Sequence, residues 1–285
     1  MKTILLDTLV DTLKLIPFLF LTYLLMEFIE HRMGEKSEES IRKAGRFGPL
    51  IGGLLGLVPQ CGFSASAASL YSGGLISAGT LLAVFLSTSD EMLPIFISKQ
   101  IGFSAIIHVL LIKLVIAVIF GFAADIVIKI IRGGNSERQI KSICEEGNCN
   151  CEEHGIFRSA LHHTLNIGAF ILVITFILNT AVYFIGEDSL GRLFVDAPVA
   201  GCAVASLVGL IPNCAASVVI TELYLNGIIG AGALISGLLT GCGIGLLVLF
   251  RTNRHSVKGN LAFLLALYAV GFVMGNIADL IGIII

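Results

Sequence analysis

Charge is scarce in this chain: 13% of its 285 residues are Asp, Glu, Lys or Arg, against about 25% in an ordinary soluble domain. With 56% hydrophobic residues, it carries more apolar surface than one water-soluble core of this size can enclose. That excludes a soluble globular class. The phosphate-cradling G-x-x-x-x-G-K-[ST] is missing, so no built-in ATPase is present. An Arg-rich voltage-sensor helix and an H-E-x-x-H protease signature are also missing, and no catalytic role is expected. A net charge of −2 argues against a nucleic-acid partner. Tryptophan is absent, and the seven cysteines are an odd count that speaks against a disulfide framework. They invite a metal or thiol reading instead.

What is present is length in apolar runs. Residues 4–29, 75–97, 101–128, 160–185, 228–250 and 260–285 are predominantly apolar. Each is roughly 20 residues or longer, enough to cross a hydrocarbon layer about 30 Å thick. The first run is too long for a signal peptide and lacks a small-residue cleavage pattern. Glycine is plentiful, 32 of 285 residues, and inside a membrane it permits close helix packing and broken helices. The chain reads as an all-α integral membrane protein.

An internal repeat organises it. Residues 56–81 (GLVPQCGFSASAASLYSGGLISAGTL) and 209–234 (GLIPNCAASVVITELYLNGIIGAGAL) align without a gap at an offset of 153, with 12 of 26 positions identical. The matches Pro59/Pro212, Cys61/Cys214 and Tyr71/Tyr224 are informative, because the chain has only 6 Pro, 7 Cys and 5 Tyr. The repeat extends outward with one-residue slips: Thr12-Leu13 matches Thr164-Leu165, Phe96 matches Phe250, and Ala124-Asp125 matches Ala278-Asp279. We therefore divide the chain into a first half (1–131), a linker (132–158) and a second half (159–285).

Charge orients the halves. Thirteen of the 18 basic residues fall in three loops: Arg32, Lys36, Arg42, Lys43 and Arg46; Lys129, Arg132, Arg138, Lys141 and Arg158; and Arg251, Arg254 and Lys258. These loops are expected in the cytoplasm, while the acidic loop 186–196 is expected outside. The halves are then inverted repeats with both termini external, as in many secondary transporters. Segments 48–73 and 201–226 are interrupted at Pro-x-Cys, where proline removes a backbone donor and disfavours helix just before it. Each is expected to form a re-entrant helical hairpin beside three full spans, giving about ten membrane segments in all. Gly48, Gly52 and Gly56, repeated as Gly201, Ala205 and Gly209, form a small-residue stripe that lets backbones approach.

The hairpin tips carry the first candidate site. Interrupted helices at membrane depth persist where a cavity or ligand uses their free backbone groups. Two tips entering from opposite sides would collect Gln60, Cys61 and Ser64 with Asn213, Cys214 and Ser217. The bland alternative is that small residues serve packing and the thiols act as small hydrophobes. Asp90, Glu91 and Glu222 lie inside apolar segments, where a charge at helix centre costs about 2.5–3.5 kcal/mol. They are candidates for cation ligands or proton carriers; for Glu91 an interfacial position near Pro94 and Lys99 is the alternative. The repeat counterpart of the Ser-Thr-Ser-Asp-Glu stretch (87–91) is Thr240-Gly241-Cys242-Gly243, which is not acidic. Asp125 and Asp279 lie near helix ends, where capping or interfacial solvation is expected. Lys113 and His108 could pair with an acid. The linker set Cys144, Cys149, Cys151 and His154 offers four ligands for a soft or borderline ion; a flexible reduced loop is the alternative.

Four stretches carry a resemblance: Leu-Val-Pro-Gln-Cys-Gly (57–62), Leu-Ile-Pro-Asn-Cys-Ala (210–215), Ser-Thr-Ser-Asp-Glu (87–91) and Cys-x-Cys-x-x-His-Gly-Ile-Phe-x-Ser-Ala-Leu-x-His-Thr (149–164). In these the chain resembles the ten-transmembrane heavy-metal exporters, described variously as arsenic efflux proteins or manganese transporters. More distantly it is similar to permeases of trivalent organoarsenicals. The resemblance implies a prokaryotic inner-membrane exporter whose transport-site positions are Pro59-Gln60-Cys61, Pro212-Asn213-Cys214, Asp90 and Glu91.

The expected function is secondary-active export of a heavy-metal ion, with proton exchange through Asp90, Glu91 or Glu222. Oxygen donors outnumber thiols, which places a divalent cation such as manganese ahead of arsenite. The alternatives are a permease for a small organic or anionic solute and a non-transporting metal sensor. No permanently bound cofactor is expected. The expected partners are the lipid bilayer, the metal cargo and further copies of the chain in a homo-oligomer.

Overall fold

The computed structural model describes residues 8–10, 12–13, 16–17, 19–21, 23–24, 45–58, 61–89, 92–131, 156–185 and 198–282. Every regular element among them is helical, in agreement with the all-α expectation. The described residues of 8–24 are helical. They are followed by α1 (Gly48–Gly56), α2 (Cys61–Ser72), α3 (Ala78–Ser87), α4 (Met92–Ser98) and α5 (Phe103–Ile131). The second repeat contains α6 (Ile156–Ile185), α7 (Pro198–Gly209), α8 (Cys214–Leu225), α9 (Ala231–Thr240), α10 (Gly245–Thr252) and α11 (Val257–Ile281). At the repeat offset α1 corresponds to α7, and the pairing continues to α5 and α11.

Five stretches are long and apolar enough to cross a membrane: Ala78–Ser98, Phe103–Ile131, Ala160–Ile177, Ala231–Thr252 and Val257–Ile281. Their burial sorts them. In Ala78–Ser98 and Ala231–Thr252, 75% and 83% of the apolar window is buried, against 33% in each of Phe103–Ile131 and Val257–Ile281. The first two are the centre of the molecule. The other two expose Leu111, Val115 and Ile119 on α5, and Leu261, Leu265 and Val273 on α11. An apolar outer face of this kind suits lipid tails.

The two central spans stand where full spans are expected, and each is interrupted along its length. In the first, α3 ends at Ser87, Thr88 turns to an extended conformation (φ −52°, ψ 127°) and α4 starts at Met92. The hydroxyls compete with the helical ladder: Ser87 and Thr88 donate to the Val84 carbonyl at 3.1 and 2.7 Å, and Ser89 donates to the Ser87 carbonyl at 3.1 Å. In the second, α9 ends at Thr240 and glycine does the breaking. Gly241 leaves helical geometry (ψ 78°) and Gly243 takes a positive φ of 54°, which only glycine adopts cheaply.

The small-residue stripe packs where expected. A Cβ on Gly52 would meet the Thr80 carbonyl oxygen at 3.0 Å, and one on Gly56 would strike the Ser87 hydroxyl. In the second repeat a Cβ on Gly209 would strike the Thr240 hydroxyl, while Ser206 and Ser236 share a hydrogen bond of 2.5 Å. These pairings make α1 run parallel to α3, and α7 parallel to α9.

Asp125 and Asp279 are caps. The Asp125 carboxylate accepts from the Gly79 amide at 2.8 Å and from the Ser77 hydroxyl at 2.7 Å. The Asp279 carboxylate accepts from the Gly232 amide at 2.7 Å. Each acid thus leaves the last helix of its repeat to satisfy the first turn of the central broken helix, where unpaired amides and the helix dipole favour negative charge. Asp125→Ala and Asp279→Ala are each expected to cost about 1–2 kcal/mol. The cost would show as a lower thermal midpoint of the purified protein; an unchanged midpoint would deny the cap a stabilising role.

Candidate functional site

The singled-out residues reach the structure unequally. Gln60, Asp90 and Glu91, with the linker residues Cys144, Cys149, Cys151 and His154, lie outside the described residues. Cys61 and Cys214 open α2 and α8, and their side chains also lie outside what is described. Ser64, Asn213, Ser217 and Glu222 are described with their side chains.

In the second repeat, α7 ends at Gly209 and the chain turns through Ile211–Asn213 into α8. The Asn213 amide donates to the Ile211 carbonyl at 2.7 Å, and its own carbonyl accepts from the Ala216 amide at 3.3 Å. Asn213 is buried at 6% exposure. Ser217, one turn further, is half-buried. In the first repeat Ser64 has no exposed surface.

The repeats interlock at this level. A Cβ placed on Gly245 would lie 2.8 Å from Ser64 Cβ and 2.8 Å from Phe85 Cε1. Ser64 of α2, the C-terminal part of α3 and the first residue of α10 therefore meet at one point. Farther along, Ser72 and Thr252 share a hydrogen bond of 2.6 Å, so α2 runs parallel to α10. The reciprocal contact pairs α8 with α4: Ala216, Val219 and Ile220 share an apolar cluster with Met92 and Phe96. Lys99, just past α4, forms an ion pair of 3.3 Å with Glu222 of α8. Both side chains of that pair are half-exposed. Each repeat thus lays its helix after Pro-x-Cys against the second part of the other repeat's broken span.

One functional-looking residue was weighed differently from sequence. Lys113, on the mostly apolar α5, has no exposed surface. Its ammonium donates to the Thr88 carbonyl at the break of the first span, and to the Leu238 carbonyl near the end of α9 at 2.8 Å. These two bonds go to backbone carbonyls of the two different repeats. The available signal was a lysine in an apolar helix whose repeat counterpart at an offset of 154 is Leu267. His108 is exposed, 3.4 Å from the Ser104 hydroxyl.

The remaining described thiols are packed. Cys242 is buried among Leu239, Ile244 and Leu246. Cys202 is buried, with its thiol 3.6 Å from the Asp279 carboxylate. Among the described residues no three His, Cys, Asp or Glu side chains come together as a metal centre. The described part of the site offers hydroxyls, an amide, backbone carbonyls and helix ends. The C-terminal ends of α3 and α9 present partial negative charge, and the N-terminal starts of α2 and α10 present partial positive charge.

No curated protein and no solved structure matches the chain in the corresponding comparisons. A protein-family model, ArsP_2, described as "Putative, 10TM heavy-metal exporter", matches twice, over residues 1–148 and 131–257. The two matches fall on the two repeats and together cover most of the chain, which therefore belongs to this ten-transmembrane heavy-metal exporter family.

Proposed function

We propose that the protein exports a heavy-metal ion from the cytoplasm by secondary-active transport, binding it where the broken helices of the two repeats meet. The observation that carries this reading is the meeting point itself. Two discontinuous central spans break at corresponding positions, and the helix following Pro-x-Cys in each repeat packs on the broken span of the other. In hydrocarbon, interrupted helices are tolerated where the freed backbone groups line a cavity or meet a ligand. Transporters use such breaks to hold ions near the midplane.

The ion would be coordinated by Gln60, Cys61, Ser64 and Asp90 or Glu91 from the first half, with Asn213, Cys214 and Ser217 from the second. Asp90, Glu91 and Glu222 are the groups assigned to proton exchange. If the repeats are inverted, α10 runs against α3. Since α1 follows α3 and α2 follows α10, α1 and α2 then turn back on each other as a re-entrant hairpin. The positive-inside pattern supports external termini, a cytoplasmic linker and an inner-membrane location. Cys144, Cys149, Cys151 and His154 would capture metal on the cytoplasmic face. Oxygen donors favour manganese; a thiol pair at the tips would suit arsenite.

The deciding experiment is metal accumulation in cells with and without the protein, challenged separately with manganese, zinc, iron and arsenite. Lower accumulation of one ion is expected in producing cells, manganese first. No difference for any ion would overturn the reading. The double variant Cys61→Ser, Cys214→Ser separates the two cargo classes. It is expected to retain manganese export, whereas loss of arsenite resistance with manganese resistance intact would reassign the tips to arsenite.

A further inference from the structure

We propose that the carbonyls of Thr88 and Leu238 form a cation site that the chain fills with its own Lys113 ammonium, making Lys113 a positioning residue that clamps the two repeats at their broken spans. The inference concerns a point separate from the Pro-x-Cys tips and does not depend on which solute is carried.

The carbonyls come first in the argument. A helix leaves its last carbonyls without amide partners, and in an apolar interior each unpartnered group is costly. At the end of α9 the Gly241 amide still reaches the Gly237 carbonyl at 3.0 Å, but the Cys242 amide turns to Thr240 at 2.9 Å. The Leu238 carbonyl thereby loses its helical donor, and the lysine takes it at 2.8 Å. The Thr88 carbonyl stands just past the end of α3, where the extended conformation stops the ladder, and accepts from the same ammonium. The two carbonyls belong to different repeats and to the C-terminal ends of two helices. Each end presents partial negative charge to the ammonium.

The lysine suits that place. Burying an ammonium is costly unless oxygens replace its water, and Lys113 is completely buried. It supplies three donors on a flexible stem, two of which are used here by backbone from opposite halves. The repeat does not duplicate it, since Leu267 stands at the counterpart position and is also fully buried. One ammonium therefore serves both ends. A free monovalent cation, which would seek the same oxygens, finds them taken.

The test is chemical replacement of the side chain in the purified full-length protein. Lys113→Ala deletes three methylenes and the ammonium, and propylammonium supplies those atoms. We expect this variant to lose about 10 °C in thermal midpoint. At constant ionic strength, propylammonium chloride should restore at least half of that loss, while propanol or sodium chloride should not. Lys113→Met fills the space without charge and should melt low, indifferent to the amine. Lys113→Arg should stay near the wild type. A Lys113→Met protein with the wild-type midpoint would overturn the proposal, as would a Lys113→Ala protein blind to propylammonium. Should the alanine variant fail to fold, the other two decide: methionine low with arginine held supports the clamp, and both low together refutes it. These readouts are independent of metal accumulation, so the clamp and the transport reading can fail separately.

Discussion

Cells producing Asp90→Asn are expected to accumulate the exported metal as cells lacking the protein do. Asp90 lies in the short stretch between α3, which ends at Ser87, and α4, which starts at Met92. Thr88, just before it in the chain, has left the helical ladder, and the span's apolar window is 75% buried. A charge-assisted contact contributes about 1.5–3 kcal/mol. Its loss in the rate-limiting complex converts to about 10–100-fold in export rate. Asn keeps the size and one carbonyl oxygen but removes the charge, so folding should survive while transport falls. Glu91→Gln tests the neighbouring acid in the same way. Initial rates of metal export from preloaded cells, normalised to the amount of protein in the membrane, are the measurement. Wild-type rates in both variants would remove these acids from the proposed site.

The second large effect is structural. Gly245→Val is expected to abolish accumulation of folded protein. The first added carbon would already sit 2.8 Å from Ser64 Cβ, 2.8 Å from Phe85 and 2.9 Å from the Ser64 backbone carbon. Real Cβ atoms do not approach that closely, and one of the three obstacles is main chain. Overpacking of a filled interior costs about 1–3 kcal/mol for added methylenes alone, and here α2 and α10 must also separate. Gly245→Ala should show the milder form of the same defect. The assay is the monodisperse fraction after solubilisation and size-exclusion chromatography. A Gly245→Val protein recovered at wild-type yield would refute the contact between α2 and α10.

Much of this arrangement was legible in the sequence, for reasons that can be named. The repeat announced itself through rare residues, Pro59/Pro212 and Tyr71/Tyr224, and the stripe Gly48, Gly52 and Gly56 identified a close-packed face. Asp125 and Asp279 were readable as caps because acids near helix ends have a standing use. The breaks in the central spans were less visible. Ser87, Thr88 and Ser89 are compatible with a helix in a polar setting, and only their competition for the Val84 and Ser87 carbonyls ends it. Gly241 and Gly243 occur in a chain where glycine is common, so their effect is masked by composition. The carbonyl partners of Lys113 were beyond reach because a backbone carbonyl leaves no mark in the sequence; both are freed by helix ends brought together from opposite halves of the chain.

The exchange of helices between repeats has a consequence for biosynthesis. The bond between Ser72 and Thr252 joins residues 180 positions apart. At a synthesis rate of about 5–20 residues per second, that interval lasts roughly 10–40 s. During this time α2 has left the ribosome while the helix it packs on does not yet exist. Its contact face is small and weakly apolar, with Ser64 and Ser72 along it, so it must be sheltered by lipid, by the insertion machinery or by a neighbouring chain until α10 arrives. Truncation before residue 245 therefore strands the first repeat in an unfinished state, and quality control in the membrane would meet this protein as a late assembler.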